Sequence, residues 1–255
     1  MKALIDSWAS SPAALPRALA RVFRKLGHVR RFIVNPRIRS EQVTRILHGG
    51  AHIQGATYSE PDRYPELFAA CRDRLVNVKT ALVVSFGCST GEEVFALARY
   101  LPRANIIGAD INRWCLRRCR EANHNPQVSF VHALSPDFAA LTDVDAIFAM
   151  AVFQRSENRN HTGPTAHRGF PFARFEEEIT RLDGMLKPGG LLFIGNADFR
   201  FEDTAIAAKY APLECAGSSV QQDRPLFGPD NRLIATRHVA QRAFVKRSEA
   251  KSSLQ

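Results

Sequence analysis

Ser85-Phe-Gly-Cys-Ser-Thr-Gly-Glu-Glu93 joins the apolar run Thr80-Ala-Leu-Val-Val84 to Val94-Phe-Ala-Leu-Ala98, whose spacing is helical. Two glycines and three small or hydroxylated residues between a buried strand and a helix serve two physical purposes. They let the backbone approach a ligand closely, and they aim free amide hydrogens at it. A dinucleotide pyrophosphate would ask for G-x-G-x-x-G at this turn. The spacing here is Gly87-Cys-Ser-Thr-Gly91, with Ser89 where a middle glycine would stand. Glu92 and Glu93 then set carboxylates where a pyrophosphate would be repelled, so a dinucleotide is disfavoured.

Working outward, the chain alternates. Apolar runs at 81–85, 105–110, 128–131, 145–149 and 190–195 read as strands, with helical patterns after Gly91, over 113–122 and over 172–186. That alternation predicts a parallel sheet covered on both faces. Two longer strands, 210–215 and 234–246, with no helix between them, predict an antiparallel end. Before the sheet lie a helical pattern over 16–34, weakened by Gly27, a glycine-rich polar linker over 47–55, and a helix over 61–75.

The loop resembles the first motif of the class I S-adenosylmethionine-dependent methyltransferases, and the resemblance runs from Ala81 to about Lys246. Ile106-Ile-Gly-Ala-Asp110-Ile-Asn112 is similar to that family's second motif, with its acidic residue at the end of the second strand. Val128-Ser-Phe-Val-His-Ala-Leu134, Val144-Asp-Ala-Ile-Phe-Ala-Met-Ala151 and Leu186-Lys-Pro-Gly-Gly-Leu-Leu-Phe-Ile-Gly195 match its third, fourth and fifth strands in order. The local wording GCSTGEE with LKPGGLLFIG is closest to the chemotaxis-receptor glutamate methyltransferases. Their aromatic-arginine motif before the loop is missing, and 102–127 leaves no room for their small inserted subdomain.

The resemblance implies an α/β, three-layer, Rossmann-like seven-stranded methyltransferase fold, its sheet mostly parallel with an antiparallel C-terminal strand. It also implies S-adenosyl-L-methionine as cofactor. Gly87 and Gly91 would let the loop pass under the methionine part, while Ser85, Ser89 and Thr90 offer hydroxyls to its charged ends. Glu92 either reaches the α-amino group or caps the following helix. Asp110 would bind the ribose, Ile111 and Leu134 would sandwich the adenine, and Met150 and Ala151 would line the pocket beside the transferred methyl. Asp145 either holds the loop or faces solvent. If the acceptor needs a base, the candidates after the fourth and fifth strands are His161, His167 and Asp198, with His48, His52 and Tyr58 supplied by a lid.

Composition narrows the setting. The chain of 255 residues carries a formal net charge of +10. Residues 1–50 hold ten Lys or Arg against Asp6 and Glu41, which accounts for most of that excess. The expected organisation is a basic helical extension and lid over 1–55, a methyltransferase domain over 56–247 and a disordered tail over 248–255. No apolar run approaches the ~20 residues of a membrane span, and the first twenty residues lack a secretory core. A cytoplasmic protein is expected, with the basic helix able to lie at the inner membrane surface. The five cysteines fit no disulfide framework or paired zinc spacing, and no metal is expected; Cys115 and Cys119 read as helix residues one turn apart.

The fourth strand runs into Phe148-Ala-Met-Ala-Val-Phe-Gln154, without Asn-Pro-Pro-Tyr or a cysteine, which disfavours amide, exocyclic and cytosine-carbon acceptors. An oxygen of a small-molecule, glycan or lipid-linked acceptor is the leading expectation. The alternatives are an RNA methyltransferase gripping phosphates with its basic arm, and a non-catalytic scaffold of the same fold.

Overall fold

The computed structural model describes residues 2–11, 14–54, 57, 59–159, 163–166 and 168–248. Three helices come first: α1 (Lys2–Ala9), α2 (Ala14–Val34) and α3 (Pro36–Leu47). Then follow α4 (Pro65–Arg74), β1 (Leu82–Phe86), α5 (Glu92–Tyr100), β2 (Asn105–Asp110), α6 (Arg113–Ala122), β3 (Val128–His132), α7 (Pro136–Ala139), β4 (Val144–Met150), α8 (Ser156–Arg159), α9 (Phe172–Met185) and β5 (Leu186–Gly195). The remainder is β6 (Tyr210–Pro212), β7 (Ser219–Gln222), β8 (Leu226–Phe227), β9 (Leu233–Ala235), β10 (His238–Gln241) and β11 (Ala243–Lys246).

Seven strands form one sheet in the order β3-β2-β1-β4-β5-β11-β6. The first five are parallel, and β11 runs antiparallel between β5 and β6. This is the expected α/β architecture. The chain leaves β1 towards β2 and β3 on one side and returns to β4 and β5 on the other, so a crevice opens where the order reverses.

Residues of β4 show why the sheet is a middle layer. All seven are buried; Ala146, Phe148 and Met150 join one apolar cluster while Ile147 and Ala149 join the other. Successive side chains of a strand point to opposite faces, so a strand covered on both sides reads as a continuous apolar run. Phe148 stacks on Phe193 of β5 with ring centroids 4.3 Å apart, against α4 and α5. The other face packs Phe138, Phe153, Phe175 and Leu182 under α7 and α9.

Local chemistry moves several expected boundaries. The helix expected from residue 61 starts at Pro65, whose missing N–H costs nothing in a first turn. Gly27 does not interrupt α2. The long strand expected over 234–246 is three pieces: β9 pairs with β8, β10 with β7, and only β11 enters the main sheet. Arg242 is the handover, since its amide donates to Ser218 while its carbonyl accepts from Ile194. The expected strand over 210–215 stops at Pro212, which cannot donate to a ladder. Asp145 is buried at the N-terminal end of β4, away from the crevice, where it accepts from the Leu82 amide at 2.7 Å and pairs with Lys187.

Candidate active site at the switch point

The loop after β1 is tied to the end of β2. The Gly87 and Cys88 amides both donate to the Ala109 carbonyl, at 2.7 and 3.0 Å. Ser89 then donates its amide to Asp110 Oδ2 at 2.8 Å, and the Asn112 amide donates to Asp110 Oδ1 at 2.7 Å. Gly87, Ser89 and Gly91 all have positive φ (75°, 50° and 94°), which gives the turn its tightness. At Gly87 a side chain would be driven into Val152, so this glycine lets the loop after β4 close on the loop after β1. Burial lifts the Asp110 pKa above the ordinary carboxylate value, although the Asn112, Ser89 and Ile111 amides pull it down. These amides do not exhaust the four lone pairs of the two oxygens, which leaves acceptor capacity for a further hydroxyl donor.

Beside this clamp, Ser85 donates its hydroxyl to Glu93 Oε1 at 2.8 Å. Burial raises Glu93 from 4.5 to about 7, against the opposing pull of Ser85 and Arg63. The Arg63 guanidinium lies over the Tyr64 ring, 5.4 Å from its centroid, and the Tyr64 hydroxyl accepts from Asn196 Nδ2 at 3.0 Å.

The described residues between α3 and α4 roof the crevice. Asn112 Nδ2 donates to Ser40 Oγ at 3.2 Å, docking α3 on α6. Ser89 donates its hydroxyl to the Thr57 carbonyl at 2.9 Å, and Thr57 donates its own to Glu41 at 2.6 Å. On the far side, Arg155 Nη1 donates to the carbonyls of His52 and Ile53 at 3.1 and 2.9 Å. What remains is a cavity of about 250 Å³ between the strand ends and the roof. That lies close to the lower end of the ~300–1,000 Å³ range of small-molecule sites.

Of the residues expected to hold the cofactor, the cavity gathers Gly87, Ser89, Asp110, Ile111, Met150 and Ala151. It does not gather the other five. Ser85 is fully buried behind Glu93, and Gly91 caps α5 while packing on Phe95 and Cys119. Thr90 donates its hydroxyl to Glu92 at 2.7 Å, and both stay outside the lining. Leu134 is 46% exposed, and Ala133 takes its place at the wall.

Among the proton-acceptor candidates, His161, His167 and Tyr58 lie outside the described residues. Asp198 is 1% exposed and does not line the cavity. It accepts from the Arg155 amide and from Asn158 Nδ2, both at 2.7 Å, and pairs with Arg224 at 3.1 Å. His48 faces a neighbouring groove between α3 and α6, its ring 5.4 Å from that of His132. His52 does reach the cavity. Sequence reasoning missed Glu93, Arg63, Asn112 and Gln154, which also line it.

Residues 83–168 match the family model described as a methyltransferase domain. The chain carries a class I methyltransferase domain. The trans-aconitate 2-methyltransferase of Azoarcus sp. (strain BH72) is 38% identical to it over 88 residues, 33% of this chain and 34% of that protein. The protein of the same name from Rhodopseudomonas palustris (strain BisB5) is 38% identical over 72 residues, 28% of this chain and 27% of that one. The chain thus spans about a third or less of the length of these curated relatives. Among solved structures, it is similar to the precorrin-6y C5,15-methyltransferase from Geobacter metallireducens GS-15, with a TM-score of 0.43 and 16% identity over 75% of this chain and 93% of that one. The plantazolicin methyltransferase BpumL in complex with SAH gives a TM-score of 0.37 and 13% identity, over 71% of this chain and 62% of that one.

Proposed function

We propose that the protein is an S-adenosylmethionine-dependent methyltransferase that methylates an oxygen of a small-molecule acceptor. The observation that carries this reading is the Asp110 carboxylate, fixed by the Ser89 and Asn112 amides at the mouth of a roofed cavity. Its remaining acceptor capacity suits the ribose hydroxyls. Ile111 and Ala133 form an apolar wall for the adenine, and Glu93 and Arg63 offer a carboxylate and a guanidinium to the amino and carboxylate groups of the methionine end. The cofactor, when bound, supplies a methyl group already activated on a sulfonium sulfur. What the chain adds is alignment of the acceptor and exclusion of water by the roof of described residues 41–54, 57 and 59–64.

The same roof argues for a small acceptor, because a polymer would need an open groove. The trans-aconitate methyltransferases named above support a small acceptor as well. Incubation with S-adenosylmethionine and a panel of small alcohols, phenols and carboxylates, with S-adenosylhomocysteine release as the readout, tests the reading. Turnover of a panel compound is the expected result; methylation confined to RNA or protein would contradict it.

The basic extension supports a place for this reaction at an anionic lipid surface. Leu19, Val22, Phe23, Val29 and Ile33 of α2 are 40% to 63% exposed along one stripe. Exposed Arg21, Arg30 and Arg31 flank them. A second copy would meet this face with like charge, whereas anionic headgroups complement it. Binding to phosphatidylglycerol vesicles that fades at high salt and is lost in Phe23→Glu is expected. Equal affinity for phosphatidylcholine vesicles would count against the surface.

A further inference from the structure

We propose that His52 is the catalytic proton acceptor, and that the methyl acceptor is therefore a neutral alcohol or phenol rather than a carboxylate. The inference rests on the methyltransferase reading above and deepens it at the same cavity.

Placement carries the argument. His52 is 5% exposed, it is one of the residues lining the cavity, and its Nδ1 is buried without a hydrogen-bond partner among the described residues. Buried polar nitrogens are ordinarily satisfied, so an unpartnered imidazole nitrogen in a residue of the cavity wall marks a place where a ligand supplies the partner. The ring is also held in position. Arg155 grips the His52 and Ile53 carbonyls, and its own amide is held by Asp198, which is paired in turn with Arg224. Arg155 belongs to the loop that leaves β4 just past Met150 and Ala151, so the imidazole is anchored to the segment beside which the methyl would be transferred.

The electrostatics agree. Burial, then Arg45 of α3, then Arg155 of the β4 loop push the His52 pKa down, and Glu157 and Glu41 oppose them. The ring is thus neutral near pH 7 and able to take a proton. The described cavity lining holds the carboxylates of Glu41, Glu60, Glu93 and Asp110 against the guanidinium of Arg63. Once Arg63 is engaged by the cofactor, the described lining offers an acceptor carboxylate no lysine or arginine, and a carboxylate oxygen needs no base. A hydroxyl group suits both features. Its oxygen forms the bond to the methyl carbon as the carbon–sulfur bond breaks with its electron pair staying on sulfur. The hydroxyl proton passes to the imidazole and then to water as product leaves.

The test compares wild type with His52→Gln, using catechol, phenol, benzyl alcohol and trans-aconitate as acceptors. The expected results are turnover of a hydroxyl compound and a kcat/KM that rises with pH as His52 deprotonates. In His52→Gln, kcat/KM at pH 7 should fall by ~10²- to 10⁴-fold and the pH limb should vanish, with S-adenosylhomocysteine affinity unchanged. Nitrogen-15 NMR of the S-adenosylhomocysteine complex needs no acceptor and should show a neutral His52 ring at pH 7. A protonated ring, turnover of trans-aconitate alone, or a variant that keeps its rate and pH limb would overturn the proposal. If wild type fails to bind S-adenosylhomocysteine, the methyltransferase reading fails instead.

Discussion

Asp198 accepts the backbone amide of Arg155 at 2.7 Å, joining the loop after β5 to the loop after β4 beneath the roof of the cavity. Through Arg155 this bond reaches His52 and Ile53, so one buried carboxylate sets the height of the roof over the strand ends. Burial lifts its pKa, opposed by Asn158, Arg224 and the Arg155 amide.

Asp198→Asn should therefore act on stability and on the roof together. An amide cannot accept every bond that the carboxylate takes, and Arg224, 11% exposed at its side chain, loses its counter-charge. Breaking a buried pair from one side costs about 3–5 kcal/mol, and the neutral isostere should sit at the lower end. Chemical denaturation measures the loss, and hydrogen exchange at residues 51–54 should quicken in the same variant. Unchanged exchange there would separate Asp198 from the roof.

Arg155→Ala should reproduce the faster exchange with a stability loss comparable to that of Asp198→Asn, because it removes the two carbonyl contacts while leaving the Asp198–Arg224 pair in place. Each hydrogen bond from a charged group contributes about 1.5–3 kcal/mol. The acceptor KM should rise more than the cofactor Kd, since the grip lies on the side of the β4 loop.

Glu93 gives a pH dependence with a definite sign. Its folded pKa of about 7 stands above the ordinary 4.5, so between these values the folded protein holds a proton that the unfolded chain has released. Stability from this group is complete below about pH 4.5 and is lost as pH rises towards 7. Glu93→Gln should flatten that part of the stability profile. S-adenosylmethionine affinity should move the other way, strengthening as Glu93 ionises opposite the α-amino group, and the variant should lose that trend. Calorimetry between about pH 4.5 and 8 reads both.

Gly87→Ala should destabilise the fold by about 1–3 kcal/mol, because φ is 75° and the new methyl meets Val152. Thermal unfolding measures it, and Val152→Ala in the same chain should restore part of the loss by making room.

The elements that pack locally were legible in the sequence. The strand at 105–110 and the helix at 113–122 fall where their apolar spacing puts them. The roof was not, because its bonds join residues far apart in the chain: Ser40 with Asn112, Thr57 with Ser89, and His52 with Arg155. No periodicity announces such pairs. The choice between Glu92 and Glu93 was equally hidden, since neighbouring helix residues diverge by about 100° and the left-handed Gly91 sets which one faces inward. The C-terminal strands misled because an apolar alternation does not reveal a change of partner such as the one at Arg242.

Calorimetric titration with S-adenosylmethionine and S-adenosylhomocysteine, beside Asp110→Ala, decides whether the cavity is the cofactor pocket. Wild type should bind with a Kd on the order of micromolar and the variant should lose ~100-fold or more, as two hydrogen bonds to a charged group disappear. Absence of binding by wild type, or equal binding by Asp110→Ala, would contradict that assignment.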